Sequence, residues 1–152
     1  MEIREGGLEQ AAVADLLRLH LAGMAELSPP GSVHALDLSG LRAPDVSFWA
    51  AWDGSDVLGC GALKALGDDE GEIKSMRTAP AHLRKGVAAA LLEHIIAVAR
   101  QRSYRRLSLE TGTGPAFAPA HAFYRRFGFT DCVAFGEYPA DDPFSRFMSR
   151  AL

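Results

Sequence analysis

The chain has 152 residues, 48% of them hydrophobic and 23% charged, with a formal net charge of −3. That length matches one domain, residues 1–152, with a sizeable core. The mildly acidic balance (pI about 5.9) and the lack of a basic stripe disfavour a nucleic-acid partner.

Two cysteines, Cys60 and Cys132, stand alone in apolar settings. Neither belongs to a CxxC pair, so no metal is expected, and isolated cysteines fit a reducing, cytoplasmic location. The N-terminal MEIREGGLEQ is charged and lacks the apolar core of a signal peptide. Glu93 and His94 interrupt the most apolar run, so no membrane partner is expected.

Residues 2–5 read as a short strand. Residues 8–27 read as a helix, with Leu8, Ala12, Leu16, Leu19 and Gly23 at helical spacing and Val13, Leu17 and Leu27 widening the stripe. SPPGS (28–32) ends it, because proline cannot continue a helix. Residues 33–45 leave room for a short second helix. VSFWAAWD (46–53) and DVLGCGALKAL (56–66) read as strands, joined into a hairpin by the turn residues Asp53, Gly54, Ser55 and Asp56. Their aromatics Phe48, Trp49 and Trp52 are core candidates. DDEG (68–71) is a turn, and EIKSMRT (72–78) is a further strand. In it Ile73 and Met76 are three apart, where a shared face requires an even spacing. One extra residue near Lys74 and Ser75 puts both on one face, which is the effect of a β-bulge.

After Pro80, residues 84–102 read as a helix, with Val87, Leu91, Ile95 and Val98 along one face. YRRLSLE (104–110) alternates as a strand, TGTGP is a turn, and 116–127 is a short helix ended by Gly128. Two more strands are expected over 129–138 and 144–151. If exposed, they are surfaces for pairing into a homodimer. Strand, helix and strand from 72 to 110 make a right-handed βαβ crossover, so those two strands are parallel, whereas the hairpins before them are antiparallel. The expected fold class is α/β (α+β): a mixed, mostly antiparallel central sheet with one parallel βαβ pair and helices on both faces.

The helix start at 84–88 carries the first chemistry. The opening N–H groups of a helix have no internal acceptors and bear partial positive charge, so they suit an anion. Gly86 presents no side chain there and Ala88 only a small one, while Arg84 and Lys85 add charge. This is a phosphate cradle or an ordinary charged helix start. A second stretch, AHAFYRRFGF (120–129), decides between them. Together MRTAPAHLRKGVAAALL (76–92) and AHAFYRRFGF resemble the GCN5-related N-acetyltransferase (GNAT) family. That family's first motif runs Arg/Gln-x-x-Gly-x-Gly/Ala between a strand and a helix, and its later motif runs Ala-x-x-x-Tyr-x-x-x-Gly-Phe. Gly86 and Ala88 match the small positions of the first, and Ala120, Tyr124, Gly128 and Phe129 match the second. Two positions depart from the pattern. Leu83 stands where the leading Arg or Gln is expected, and Phe117 where an Asn is common.

The resemblance implies acetyl-CoA bound, without a metal, between splayed strands at 72–78 and 104–110. Its pantetheine arm would pair with the backbone of Met76, Arg77 and Thr78 like an added strand. Its pyrophosphate would sit on the N–H groups of Arg84, Lys85, Gly86, Val87 and Ala88, and the bulge would open the slot. The implied reaction is acetyl transfer to a primary amine of a small molecule, by direct attack through a tetrahedral intermediate. Tyr124, matched by position, would protonate the leaving thiolate, although it also reads as a core tyrosine beside Phe123 and Phe127. A backbone N–H near Ile73 to Ser75 is the oxyanion donor. The base is Glu72, where relatives often carry an acid, or Glu110, at the carboxyl end of a parallel strand. The Arg77 side chain faces a substrate carboxylate or a surface partner. His34 and the loop 28–45 are candidates for the acceptor pocket. His20, His34, His82, His94 and His121 show no metal spacing and read mostly as surface or helix residues. A non-catalytic acyl-CoA sensor of the same fold is the alternative. A dinucleotide oxidoreductase fits poorly, because no GxGxxG follows an early strand.

Overall fold

The computed structural model describes residues 1–152. In chain order its elements are β1 (Glu2–Glu5), α1 (Ala11–Leu27), α2 (Leu38–Leu41), β2 (Val46–Asp53), β3 (Asp56–Ala65), β4 (Glu70–Thr78), α3 (Val87–Gln101), β5 (Arg106–Thr111), α4 (Ala118–Arg126), β6 (Thr130–Asp131) and β7 (Arg146–Ala151). The strands form one sheet in the order β1-β2-β3-β4-β5-β7-β6. Every neighbouring pair is antiparallel except β4 and β5. This is the mixed, mostly antiparallel sheet that the sequence predicts.

The strand period of two explains why β2 is apolar without interruption. Phe48, Ala50 and Trp52 face one side, where they pack with Val13, Leu16 and Leu17 of α1 and Leu41 of α2. Trp49 and Ala51 face the other, in a core with Leu91, Leu92, Ile95 and Ala99 of α3, together with Ile73, Leu107 and Leu109. Helices therefore cover both faces. Each buried Leu or Ile contributes about 1.5–3 kcal/mol, so both layers are strongly held.

The feature that shapes the site is in β4. Cys60 of β3 lies opposite Arg77, and Ala62 lies opposite Lys74, so Gly61 alone faces the two residues between. That is the bulge inferred from the spacing of Ile73 and Met76. Ser75 takes the strain, at φ 54°. Both Ile73 and Met76 accordingly pack into the α3-side core. The parallel ladder of β4 with β5 runs only from Glu70–Arg106 to Glu72–Ser108, and then both strands continue unpaired with each other. β3 and β7 hold their outer edges.

Several boundaries differ from expectation. Helix α1 starts at Ala11 rather than Leu8, because Leu8 and Glu9 lie in a turn that Gln10 N–H closes on Gly7 C=O at 3.0 Å, and Gln10 itself is extended (φ −78°, ψ 134°). Strand β4 begins at Glu70, inside the expected turn, and β5 begins at Arg106 rather than Tyr104. Helix α3 begins at Val87, since Arg84 and Gly86 are left-handed (φ 62° and 81°) and cannot join a right-handed helix. The expected strand 129–138 shrinks to Thr130–Asp131. After Cys132 the chain leaves the sheet, turns at Gly136 (φ 56°), and packs Phe135 and Tyr138 edge-on against Phe147. Strand β7 is flanked by β5 and β6, so the open edge at that end of the sheet is the two-residue β6. His20 and His121 are buried rather than exposed. No helix is long and apolar enough to cross a membrane.

Two predictions follow from this packing. A Cβ at Gly59 would lie 2.8 Å from the Arg77 carbonyl oxygen and 2.9 Å from Val87, and backbone cannot yield as a side chain can. Gly59→Ala is expected to destabilise the fold by about 1–3 kcal/mol, read as a lowered denaturation midpoint in urea. His20 is held neutral by burial, helped by the Arg77 charge, with its pKa pushed from 6.5 down to about 4. The unfolded chain therefore binds this proton first as pH falls. Stability should be complete above pH 6.5 and decline through pH 4. The His20 share of that decline is about 3 kcal/mol at most. Replacing His20 with Leu should flatten that part of the stability–pH curve; an unchanged curve would refute the assignment.

Candidate active site

The parting of β4 and β5 leaves two cavities that meet at Met76, Ala120 and Tyr124. The larger, about 770 Å³, is bounded by Met76, Arg77 and Thr78 on β4, by Arg84, Gly86, Val87, Ala88 and Ala89 at the start of α3, and by α4. The smaller, about 140 Å³, lies toward α1 and the loop 28–45, and contains Glu72, Lys74, Ser75, Glu110 and His34.

At the mouth of α3 the first N–H to find a helical acceptor is that of Ala90, bonded to Gly86 C=O at 3.0 Å. Gly86 supplies no side-chain cap, and the first turn carries no acid. The N–H groups of Val87, Ala88 and Ala89 thus open onto the larger cavity without an intrahelical partner. A Cβ on Gly86 would meet no protein atom, so glycine is required there for its φ of 81° and for whatever approaches from outside. The Val87 side chain is buried in the core, which leaves its backbone to face the cleft. Lys85 does not line the cavity; its Nζ lies 3.4 Å from His82 Nδ1. The Arg77 side chain donates to Leu19 C=O of α1 at 3.5 Å, turned away from the smaller cavity.

Tyr124 stands at the junction. Its ring stacks on Phe129 (centroids 5.7 Å apart, 7° between planes) and meets Phe123 edge-on, so it is a core tyrosine in its body. Tyr124 also lines both cavities. Burial alone raises its pKa well above that of a free phenol, so it stays protonated.

The two acids have different surroundings. Glu72 is 3% exposed and far from a solvated edge carboxylate. It accepts hydrogen bonds from Tyr138 Oη and from Lys74 Nζ, the latter at 3.2 Å. Lys74 also donates to Tyr138 Oη at 2.8 Å and to His34 C=O at 3.4 Å. Glu110 is half-buried and accepts from Ser145 Oγ at 2.8 Å. Desolvation raises its pKa above the usual carboxylate value, against the lowering pull of Ser145, His34 and Lys74. Two buried side-chain atoms at this cavity have no protein partner, His20 Nδ1 and Ser75 Oγ.

Most of the site residues expected from sequence thus come together, but Tyr138 and Lys74 were missed. Tyr138 falls in the segment read as a strand, and only the tertiary fold brings it onto Glu72. In the sequence Lys74 marks only the bulge, although a lysine beside Ile73 in a buried-strand pattern needs a partner.

A family model described as the acetyltransferase (GNAT) family matches residues 13–129. Over 152 residues, and the whole of both chains, the sequence is 50% identical to the N-acetyltransferase YsnE of Bacillus subtilis, a name that specifies no acceptor. A Klebsiella pneumoniae protein named for acyl-CoA N-acyltransfer superposes with a TM-score of 0.82 and 30% identity, covering 99% of this chain and 97% of that one. A GNAT acetyltransferase from Elizabethkingia anophelis, solved with acetyl-CoA bound, shares the fold at a TM-score of 0.71 and 18% identity over 99% and 97% of the two chains. On this agreement of family model, relatives and fold, the chain belongs to the GNAT acetyltransferase family and is an acetyl-CoA-dependent acyltransferase.

Proposed function

We propose that this enzyme transfers the acetyl group of acetyl-CoA to a primary amine of a small molecule, by direct attack. The observation that carries this reading is the path through the protein. An unsatisfied helix N-terminus opens into a cleft that passes Tyr124 and ends in a cavity bearing Glu110. The diphosphate sits on the N–H groups of Val87, Ala88 and Ala89, with Arg84 beside it. The pantetheine arm runs along the open edge of Met76, Arg77 and Thr78, where β4 has lost β5 as a partner. The thioester then lies near Tyr124, and the amine enters from the smaller cavity.

An ammonium cannot attack, so the acceptor must give up a proton. Glu110 takes it, directly or through a water. The desolvation that raises its pKa makes it a better base than a free carboxylate. Glu72 is engaged by Lys74 and Tyr138 and serves as an anchor. The neutral nitrogen forms the new C–N bond, and the carbonyl oxygen becomes an oxyanion that a β4 backbone N–H near Ser75 stabilises. The C–S bond then breaks, and the thiolate takes its proton from the Tyr124 hydroxyl, which is regenerated from solvent. His20 Nδ1 and Ser75 Oγ are hydrogen-bonding positions for acceptor atoms beyond the amine.

Three outcomes are expected. Tyr124→Phe should lower kcat about a hundredfold or more in a thiol-release assay, while the Kd for acetyl-CoA stays within a factor of about two. Equal losses in both would make Tyr124 a packing residue only. Glu110→Gln should lower kcat by a similar factor. The wild-type kcat–pH profile should show an acid limb above the ordinary carboxylate range, because activity requires Glu110 without its proton; that limb should vanish in the variant. Gly86→Ala should weaken coenzyme A binding about tenfold, since φ 81° costs an L-residue about 1–2 kcal/mol.

A further inference from the structure

A third cavity, of about 440 Å³, adjoins the acceptor cavity, and His34, Glu72, Lys74 and Tyr138 line both. These four side chains form a partition. They are tied to one another. Tyr138 Oη donates to Glu72 and accepts from Lys74 at 2.8 Å, Lys74 donates to Glu72 at 3.2 Å and to His34 C=O at 3.4 Å, and the His34 ring meets the Tyr138 ring edge-on at 5.1 Å. Glu72 and Lys74 are both more than nine-tenths buried, and their charges cancel inside the wall. The partition therefore offers an acceptor no free charge, only a surface. The space behind it is polar, with Asp45, Lys64 and Glu137 on its walls.

Tyr138 is the member whose removal would open the wall. Glu72 and Lys74 belong to β4 and are fixed by the β3 ladder. Tyr138 reaches in from the loop after β6, and its ring is wedged between Phe135 and Phe147, at centroid distances of 5.3 and 5.4 Å. Burial and the neighbouring Glu72 carboxylate keep its hydroxyl protonated, so it remains a donor.

We propose that Tyr138 sets the length limit of the acceptor: its ring closes the far end of the acceptor cavity, so short amines are accepted and longer ones are blocked from the polar space beyond. The inference rests on the reading above that the smaller cavity takes the amine.

The test is kcat/KM with acetyl-CoA for a straight-chain amino-alcohol series from ethanolamine to aminooctanol. It compares the wild type with Tyr138→Phe, Tyr138→Leu and Tyr138→Ala, each checked for its melting temperature and coenzyme A Kd. The wild type should favour the short members by about tenfold or more, the size of discrimination a closed pocket wall gives. Tyr138→Phe keeps the ring and should keep that ratio, whatever its absolute rate. The Leu and Ala variants should shift the long-to-short ratio by about tenfold toward the long members. General damage would lower all members together and leave the ratio unmoved. An unchanged ratio in Tyr138→Leu or Tyr138→Ala with wild-type coenzyme A affinity would overturn the proposal, as would a wild type indifferent to length. A wild type that acetylates no amine of the series or of a broader primary-amine panel would instead overturn the proposed function, and this inference with it.

Discussion

The parting of β4 from β5 is the constraint on which the site depends. Two parallel strands share a ladder for three residue pairs and then separate, while β3 and β7 keep each bonded along its outer edge. A buried strand edge without partners is unfavourable, since each unpaired backbone group loses its hydrogen bond with water. The bulge at Ser75 makes the departure sterically workable by adding one residue to β4. Close contact of Gly59 with the Arg77 backbone and with α3 fixes where the diverging segment goes. The cleft is thus a consequence of sheet geometry, and the helix that bridges the two strands delivers its bare N-terminus to the same opening.

Within that opening, the same residue type meets different surroundings. Glu72 and Glu110 are both carboxylates on neighbouring strands. The first is neutralised by Lys74 and held by Tyr138, which makes it part of the wall. The second has one hydroxyl partner and loses water around it, so its proton affinity rises. Tyr124 loses water more completely still and keeps its proton. Desolvation raises the proton affinity of both groups: it makes Glu110 more basic, and it keeps Tyr124 a neutral hydrogen-bond donor without making it a stronger acid. His20 shows the same physics on a base, where burial removes the charge instead.

What could be read from sequence follows the range of the interaction. The spacing of Ile73 and Met76 located the bulge because strand periodicity is local. The N-terminus of α3 was legible because Gly86 and the apolar stripe behind it are contiguous. The parallel pair followed from the order strand–helix–strand. Tyr138 was not legible, since its partner Glu72 is 66 positions away. Its segment, with Phe135 and Tyr138 among small and polar residues, resembles a strand until Gly136 turns it. His20 lies on a helix whose apolar stripe is wide, and the stripe alone does not say whether its flank meets solvent or β4. The start of α3 differs because residues with positive φ stop a helix, and Arg84 gives no local sign of adopting that conformation; the start of α1 differs because Gln10 is extended although the apolar stripe already begins at Leu8.

The central claim is that backbone N–H groups at the opening of α3 hold the cofactor's diphosphate. A crystal structure of the enzyme with coenzyme A tests it most directly. Diphosphate oxygens within hydrogen-bonding distance of the Val87, Ala88 and Ala89 nitrogens are the predicted result. A nucleotide bound elsewhere, with those nitrogens facing only water, would contradict the account.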